Sequence, residues 1–147
     1  MVTRSSEKRA AIAEAGAAGV VVIGEGDFSP DVKSLTRGRG VDVVIDTVGS
    51  RVFTSSFKSL AVGGRYAMVG QLLREEVSIN PAFIFFQRAQ ILGVGSVRRD
   101  QLADVVELAV AGRIRPRVAA VYSLEEAALA HAVVEAGTAV GRVVLSP

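Results

Sequence analysis

Gly40-Val-Asp-Val-Val-Ile-Asp-Thr-Val-Gly49 is the stretch of the sequence that decides the fold. Its first part, Val41 to Ile45, is short, rich in β-branched residues and preceded by glycine, which predicts a buried strand. Two similar runs lie at 20–23 and 65–69, and a helix-length segment separates each run from the next. Hairpins need tight turns, so these long connections predict crossovers and a parallel sheet. We therefore expect the three runs to lie side by side in one direction.

Start and stop signals predict the remaining elements. Ser5 and Ser6 are expected to cap a first helix that ends at Gly16. Ser123-Leu-Glu-Glu126 has the pattern of a capping box, in which the serine and the second glutamate satisfy each other's backbone donors. The other predicted elements are helices at 29–37, 52–60, from Asn80-Pro81 onward and 102–111, and strands at 75–79, 90–94, 118–122 and 143–145. The sequence thus predicts an α/β protein with a Rossmann-like doubly wound parallel sheet.

Composition excludes several classes of protein. The net charge is only +2, from 17 basic and 15 acidic residues, and the cluster Arg113-Ile-Arg115-Pro-Arg117 is typical of a solvated loop edge, so no nucleic acid partner is expected. The absence of cysteine excludes disulfides and thiolate zinc sites and fits a cytoplasmic protein. The first residues lack the apolar core of a signal peptide, and the longest apolar run, at 17–23, is too short to span a membrane.

A series of stretches spread along the chain points to a known family. They are Gly40 to Gly49, Gly63-Gly-Arg-Tyr-Ala-Met-Val-Gly70, Asn80-Pro81, Ile91-Leu-Gly93, Gly112-Arg-Ile-Arg-Pro116, Ser123-Leu-Glu-Glu-Ala-Ala128 with Ala130-His131, and Gly141-Arg-Val-Val-Leu145. In this order and spacing they resemble the zinc-type alcohol dehydrogenase and quinone oxidoreductase branches of the medium-chain dehydrogenase/reductase superfamily.

The resemblance also implies what the chain lacks. Members of the superfamily begin with a GroES-like catalytic domain, followed by the first strand of the cofactor domain and a glycine-rich turn. Neither is represented here, so the doubly wound sheet is expected to be incomplete, with residues 1–117 forming a partial dinucleotide-binding domain. Residues 118–147 match a C-terminal segment that packs on the catalytic domain in similar proteins. Because the backbone donors of the turn hold the pyrophosphate, binding of NADP by this chain alone is expected to be weak or absent.

The resemblance places one group of candidate cofactor residues after the second family strand. An acid there would favour NAD, but Thr3, Arg4 and Ser5 lie in a stretch with no carboxylate. Lys8 aligns with a lysine that contacts the 2′-phosphate in similar NADPH-dependent reductases, so NADP(H) is expected over NAD(H). The alternative interpretation is a solvated helix N-terminus. Gly24-Glu25 departs from the pattern, because many NADPH-dependent members carry a tyrosine at this point.

A second group follows the carboxyl ends of two predicted strands, where ligands bind in open α/β sheets. The resemblance places it beside the nicotinamide ribose, and ordinary turn chemistry is the alternative. Its members are Thr47, Val48 and Gly49 after one strand and Val69, Gly70 and Gln71 after the next. Arg142 falls where similar dehydrogenases hold a basic residue near the cofactor phosphates, with an ordinary surface charge as the alternative. Asp46 is interpreted as a turn residue and not as a catalytic base.

The sequence offers no catalytic residue and no metal site. The single histidine, His131, is expected to pack within its helix, and Phe83, Phe85 and Phe86 are expected in the core or in an interface. Gln90–Val94 matches the edge strand through which family members dimerise, so a homodimer is expected.

Two functions remain open at this point. In the first, the chain is the cofactor portion of an NADPH-dependent quinone or enoyl reductase, or of an alcohol dehydrogenase, whose catalytic domain is supplied upstream in the full gene or by another polypeptide. The alternative is a non-catalytic relative that acts as an oligomerising or interaction module.

Overall fold

The computed structural model describes residues 1–95 and 98–147, and strands alternate with helices through most of that range. The strands are β1 (Val2–Thr3), β2 (Val21–Val22), β3 (Val41–Asp46), β4 (Leu60–Met68), β5 (Gln90–Gly93), β6 (Val118–Ser123) and β7 (Arg142–Ser146). The helices are α1 (Lys8–Glu14), α2 (Ser29–Leu35), α3 (Ser50–Lys58), α4 (Pro81–Gln87), α5 (Arg99–Val110) and α6 (Ala127–Ala136), with a 3₁₀ turn at Leu124–Glu126. Among the described residues, no helix combines the length and apolar character needed to cross a bilayer.

The sheet with the most strands has the order β3-β4-β5, and both of its pairings are parallel. Ile45 lies opposite Ala67, and Ala67 lies opposite Leu92. The strands β6 and β7 form a second parallel pair, and β1 pairs with β2 in a third sheet. The expected α/β class with parallel strands joined by crossovers is confirmed.

The expectation that three runs share one sheet is wrong for the first of them. The run at 20–23 forms β2 and pairs with β1, whereas the runs at 41–45 and 65–69 pair with each other. Strand order explains the difference. In the common doubly wound order 3-2-1-4-5-6, strand 1 joins strands 3 and 2 to strands 4, 5 and 6. The sheets β1-β2 and β3-β4-β5 match the neighbours 3-2 and 4-5-6 of this order. Strand 1, which would join the two sheets, is not represented among the described residues.

The chain divides into two compact units. One comprises residues 1, 3–22 and 98–147, and the other comprises residues 2 and 23–95. The first therefore holds β6 and β7 with the N-terminal segment, and the second holds β3-β4-β5 with its helices. The boundary expected after residue 117 concerns packing against a catalytic domain and stays a prediction.

The core of the second unit is aromatic. Phe53, Phe57, Leu60 and Tyr66 are buried against one another. The ring centroids of Phe53 and Tyr66 lie 5.0 Å apart and those of Phe53 and Phe57 lie 5.9 Å apart, which are favourable spacings for aromatic pairs. The face of α3 that carries both phenylalanines thus covers one side of the sheet.

The three phenylalanines of α4 were expected either in the core or in an interface, and the first of these expectations is wrong. Phe83, Phe85 and Phe86 are all exposed, the last two by 76% and 75%, whereas Ile84 packs against the core. One short helix can bury only one side, and Ile84 takes it. An interface remains the interpretation for these rings.

Three local expectations also fail, while two helix starts are confirmed. No strand forms at 75–79, where the backbone oxygen of Glu75 instead accepts a hydrogen bond from the Gln71 side chain. The helix α1 begins at Lys8 with no side-chain cap. His131 is exposed, because the buried face of α6 passes through Ala130. By contrast, the Ser123 capping box and the helix start after Asn80 are both present.

Candidate functional site

A buried carboxylate organises the turn that follows β3. Asp46, which is 4% exposed, ends the strand. One of its oxygens accepts hydrogen bonds from the backbone N–H groups of Val48 at 2.8 Å and Gly49 at 3.0 Å. The other oxygen accepts from the Tyr66 hydroxyl. The sequence identified Asp46 as a turn residue, and this geometry agrees, because two of the three donors are backbone groups of the turn and the third holds the carboxylate in place.

The chemistry of Tyr66 matches this structural role. Burial and then the hydrogen bond to Asp46 raise the pKa of the Tyr66 phenol well above its usual value. The hydroxyl therefore stays protonated and donates to Asp46 at any ordinary pH. Sequence reasoning missed this partnership, because the two residues are 20 positions apart and no local pattern connects them.

The turn after β4 lies directly against the turn after β3. The backbone oxygen of Asp46 accepts hydrogen bonds from the N–H groups of Val69 at 2.7 Å and Gly70 at 3.2 Å. A Cβ added at Gly70 would lie 2.9 Å from the backbone oxygen of Thr47, which is too close for any other residue without a backbone shift. The structure thus brings together the two parts of the second predicted group, 47–49 and 69–71, at the carboxyl edge of one parallel sheet.

Gln71 has a role that its sequence position did not indicate. Its side-chain oxygen accepts a hydrogen bond from the Ser50 N–H at 3.0 Å and so supplies the missing cap of α3. The N-cap residue itself is Gly49, which has no side chain and adopts φ +89° and ψ −131°. A Cβ at Gly49 would also collide with the Gln71 side chain. Gly49 is thus required by its backbone conformation and by this contact.

Besides Gln71, two more side chains of the turns are open to solvent. Thr47 is exposed, and Val69 is 45% exposed. Both follow the carboxyl ends of parallel strands, the position at which open α/β sheets bind ligands. The contact with the nicotinamide ribose that the resemblance implies for these residues stays a prediction. The donors that would hold the cofactor's pyrophosphate are not encoded, because no G-x-G-x-x-G turn occurs in the sequence.

The remaining candidate residues lie in the other unit. The Thr3 hydroxyl accepts a hydrogen bond from the Ser5 N–H at 3.2 Å, and Lys8 begins α1 with its side chain partly buried. Arg4 is exposed. Arg142 opens β7 with an exposed side chain, and its N–H donates to the backbone oxygen of Arg117 at 2.8 Å. The cofactor roles of these residues stay predictions.

No zinc site fits the residues of this chain. The sequence contains no cysteine and a single histidine. Within residues 1–95 and 98–147, no three His, Asp or Glu side chains come together in an arrangement that would hold a metal ion.

A shallow groove of about 320 Å³ lies on the helical side of the second unit. Its lining includes Lys33, Phe57, Lys58 and Phe83, and none of the residues of the two turns. The groove is therefore separate from the carboxyl edge of the sheet.

Curated relatives match almost the whole chain but only part of their own length. The chain is 31% identical over 147 residues to the acryloyl-coenzyme A reductase of Sulfurisphaera tokodaii, covering 99% of this chain and 42% of that protein. It is 38% identical over 119 residues to the NAD-dependent alcohol dehydrogenase of Sulfolobus acidocaldarius, covering 78% of this chain and 34% of that protein. This chain therefore spans less than half the length of these relatives.

Solved structures show the same partial coverage. The crystal structure of AibC matches with a TM-score of 0.86 and 39% identity, over 99% of this chain and 44% of that chain. The mycobacterial protein Rv1454c, solved in complex with NADPH, matches with a TM-score of 0.83 and 28% identity, over 99% of this chain and 48% of that chain. The model of the zinc-binding dehydrogenase family matches residues 15–145. This chain belongs to the zinc-binding dehydrogenase family of the medium-chain dehydrogenase/reductase superfamily, and it corresponds to the C-terminal, cofactor-binding portion of its members.

Proposed function

We propose that this chain is the cofactor-binding portion of an NADP(H)-dependent oxidoreductase of the quinone or enoyl reductase or alcohol dehydrogenase type. The observation that carries the proposal is the pair of turns at 47–49 and 69–71, fixed against each other at the carboxyl edge of β3 and β4. A bound nicotinamide would donate a hydride to an activated alkene or a carbonyl in the reduced form, and would accept a hydride in the oxidised form. The residues of this chain bind and orient the cofactor, and none is assigned a catalytic role.

The preference for NADP(H) is supported by the residues after β1. No carboxylate is available between Val2 and Ser6 to accept hydrogen bonds from the ribose hydroxyls of NAD. Lys8 and Arg4 offer positive charge for a 2′-phosphate instead. The NADPH-bound relative supports the same choice, although an NAD-dependent alcohol dehydrogenase is also among the relatives.

Completion of the enzyme needs structure that residues 1–147 do not encode. A catalytic domain and a glycine-rich turn, encoded upstream in the full gene or supplied by another polypeptide, would add the substrate site and the phosphate donors. We further propose a cytoplasmic homodimer that pairs through Gln90–Val94. Neither relative described above is a non-catalytic module, so the alternative function gains no support from them.

A cofactor titration tests this proposal. Because the pyrophosphate donors are absent, we expect NADPH to bind the chain alone with a dissociation constant of about 1 mM or weaker, corresponding to no more than about −4 kcal/mol. Binding should shift amide signals of the 47–49 and 69–71 turns in an NMR titration, and NADH should produce smaller shifts at equal concentration. Lys8→Gln should remove the difference between the two cofactors, whereas Lys33→Gln, at a lysine outside the predicted cofactor set, should preserve it. Tight binding of NADPH by the chain alone, with a dissociation constant of about 1 μM or below, or amide shifts confined to residues outside the two turns, would contradict the proposal.

A further inference from the structure

The groove on the helical side of the second unit has a largely apolar lining. Phe53 and Phe57 of α3 are only 4% and 5% exposed, so the small surface that they present to the groove forms its floor. Ile79 packs against the same core, and Phe83 of α4, which is 53% exposed, adds an uncovered ring to the lining. The volume of about 320 Å³ is at the lower end of the range of roughly 300–1,000 Å³ that is usual for small-molecule pockets. The groove therefore has the size and the apolar surface to hold a small ligand.

Within residues 1–95 and 98–147, the charged side chains that line this groove are two lysines, Lys33 of α2 and Lys58 of α3. The Lys58 ammonium is already engaged, because a carboxylate oxygen of Asp27 lies 2.9 Å from it. No ion pair between described residues involves Lys33, which is partly buried. Solvent and salt screen partly buried charges less than exposed ones, so Lys33 attracts an anion in the groove more strongly than a surface lysine would.

The charges and the apolar floor together define a class of ligand. Asp27 offsets the charge of Lys58, so Lys33 leaves the groove with a single unbalanced positive charge. A cation would be repelled by Lys33, and an uncharged molecule would gain nothing from it. A ligand with one negative charge matches this balance, and an apolar tail would bury itself against the phenylalanine rings.

We propose that this groove binds a small carboxylate with a single apolar tail, whose carboxylate pairs with Lys33 and whose tail lies between Phe57 and Phe83. The groove shares no residue with the turns at 47–49 and 69–71, so the proposed carboxylate site is separate from the cofactor edge and does not depend on the proposed function. It also distinguishes Phe83 from Phe85 and Phe86, which are exposed but do not line the groove.

Sodium octanoate is the probe, titrated into the isotope-labelled whole chain and followed through the amide signals in NMR spectra. We expect saturable shifts at Thr54, Lys58 and Phe83, with a dissociation constant of about 1 mM or tighter, and unchanged signals at 47–49 and 69–71. Octylammonium, which has the same tail length and the opposite charge, should bind at least about tenfold more weakly. Butanoate should also bind more weakly, because its shorter tail buries less apolar surface.

Paired variants test each contact of the carboxylate site. Lys33→Gln should weaken octanoate binding by about fivefold or more, whereas Arg51→Gln, which removes an exposed cation of α3 outside the groove, should change it by less than about twofold. Phe83→Ala should weaken binding by about fivefold or more, and Phe86→Ala, at a 75% exposed position of the same helix, by less than about twofold. Asp27→Asn should tighten binding by about twofold or more, because it releases the ammonium group that Asp27 now engages.

Several results would overturn this inference. They are no saturable shift at about 20 mM octanoate, roughly twenty times the expected dissociation constant, equal affinity for octylammonium, and equal binding by wild type and Lys33→Gln. Weaker binding by Asp27→Asn would also contradict it, since a variant that only loosened the fold would lose affinity. None of these readouts involves a cofactor, so the carboxylate site and the proposed function stand or fall separately.

Discussion

Asp46 is the residue on which the candidate site depends, and it acts through hydrogen bonds to the protein itself. Its carboxylate is buried and receives two backbone N–H groups and one phenol. Buried carboxylates are tolerated only when such donors satisfy them. An aspartate at a strand end, followed by a turn, is a local signal that the sequence did show. Tyr66, the third donor, became visible only in the folded chain.

Removal of the phenol tests this hydrogen bond. Tyr66→Phe leaves a buried carboxylate oxygen without its donor, and we expect the free energy of unfolding to fall by about 1–3 kcal/mol. The aromatic ring and its packing against Phe53 are retained, so the loss reports on the hydroxyl alone. Urea denaturation followed by circular dichroism measures the change. Tyr122→Phe is the matched control, and its cost should stay below about 0.5 kcal/mol. Equal losses for the two variants would contradict this assignment.

Gly70 tests the close approach of the two turns. A methyl group at Gly70 would meet the Thr47 backbone oxygen, so Gly70→Ala must push the turns apart, at a cost of about 1–3 kcal/mol. We also expect faster hydrogen exchange at the Val69 and Gly70 amides, which donate to Asp46. Gly93→Ala is the control, because no atom lies within 4 Å of its added Cβ. Unchanged exchange in Gly70→Ala would show that the turns are not held at this distance.

At the scale of elements, the helices α2 and α3 are linked by one ion pair. Asp27 precedes α2, and its carboxylate accepts from the Ser29 N–H at 2.9 Å and from the Lys58 ammonium at 2.9 Å. The hydrogen bond from Lys58, followed by that from the Ser29 backbone, holds the pKa of Asp27 well below its ordinary value of 3.8. Asp27 is 39% exposed, so solvent screening keeps the pair weak.

This pair gives stability a defined pH dependence. A carboxyl whose pKa is lower in the folded state stabilises the fold above its unfolded pKa, and the effect is lost as the pH falls through the folded pKa. We expect Asp27→Asn to cost about 0.2–1 kcal/mol at pH 7. The difference from wild type should shrink as the pH falls below 3.8. Urea titrations at pH 7, 4 and 2.5 measure it.

Two further variants separate the contributions of Asp27. Lys58→Met should cost as much as Asp27→Asn, and the double variant should add little, because both changes remove the same pair. Asp27→Ala should cost more than Asp27→Asn, since asparagine can still accept from the Ser29 N–H. A wild-type advantage over Asp27→Asn that grows on acidification would contradict the sign of the pKa shift.

The elements themselves were largely predictable, and the reason is local. The β-branched run before Asp46, Pro30 at a helix start and the Ser123 capping box each act within a few residues, and the structure confirms them. The predicted strand at 75–79 failed, because a strand needs a neighbour and this segment instead provides the backbone oxygen that accepts from Gln71. Alternation of residues alone does not supply a pairing partner.

At the scale of the whole molecule, the described chain leaves much apolar surface exposed. In the unit of β6 and β7, Val118 and Val121 are 51% and 61% exposed, and α5 buries none of its residues. Residues 118–147 match a segment that packs on the catalytic domain in similar proteins, so we expect such a domain to cover this apolar surface. Apolar side chains are also uncovered at the edge strand β5 in the other unit, where Ile91 and Leu92 are about two-fifths exposed.

Pairing through β5 predicts the oligomeric state. If two copies join their sheets by Gln90–Val94, sedimentation velocity at about 10 μM should show a dimer, in the concentration range of typical specific interfaces. Leu92→Lys should shift the chain to monomer, because a charged side chain at a sheet edge opposes pairing. Val110→Lys, a change at an 84% exposed position of α5, should leave the dimer unchanged. A wild-type chain that remains monomeric at this concentration would contradict the expected homodimer.

The sequence by itself determined the class of fold, the positions of most helices and strands, the family and the segments that follow β3 and β4. These depend on patterns that operate within a turn or a strand, or on the order of short stretches along the chain. Only the tertiary structure decided that β2 pairs with β1 and not with β3, that Asp46 is held by Tyr66, that Gln71 caps α3, and that Ile84 packs against the core while its phenylalanine neighbours are exposed. Each of these depends on which distant segments meet, and that choice is made by the packing of the whole sheet and its helices.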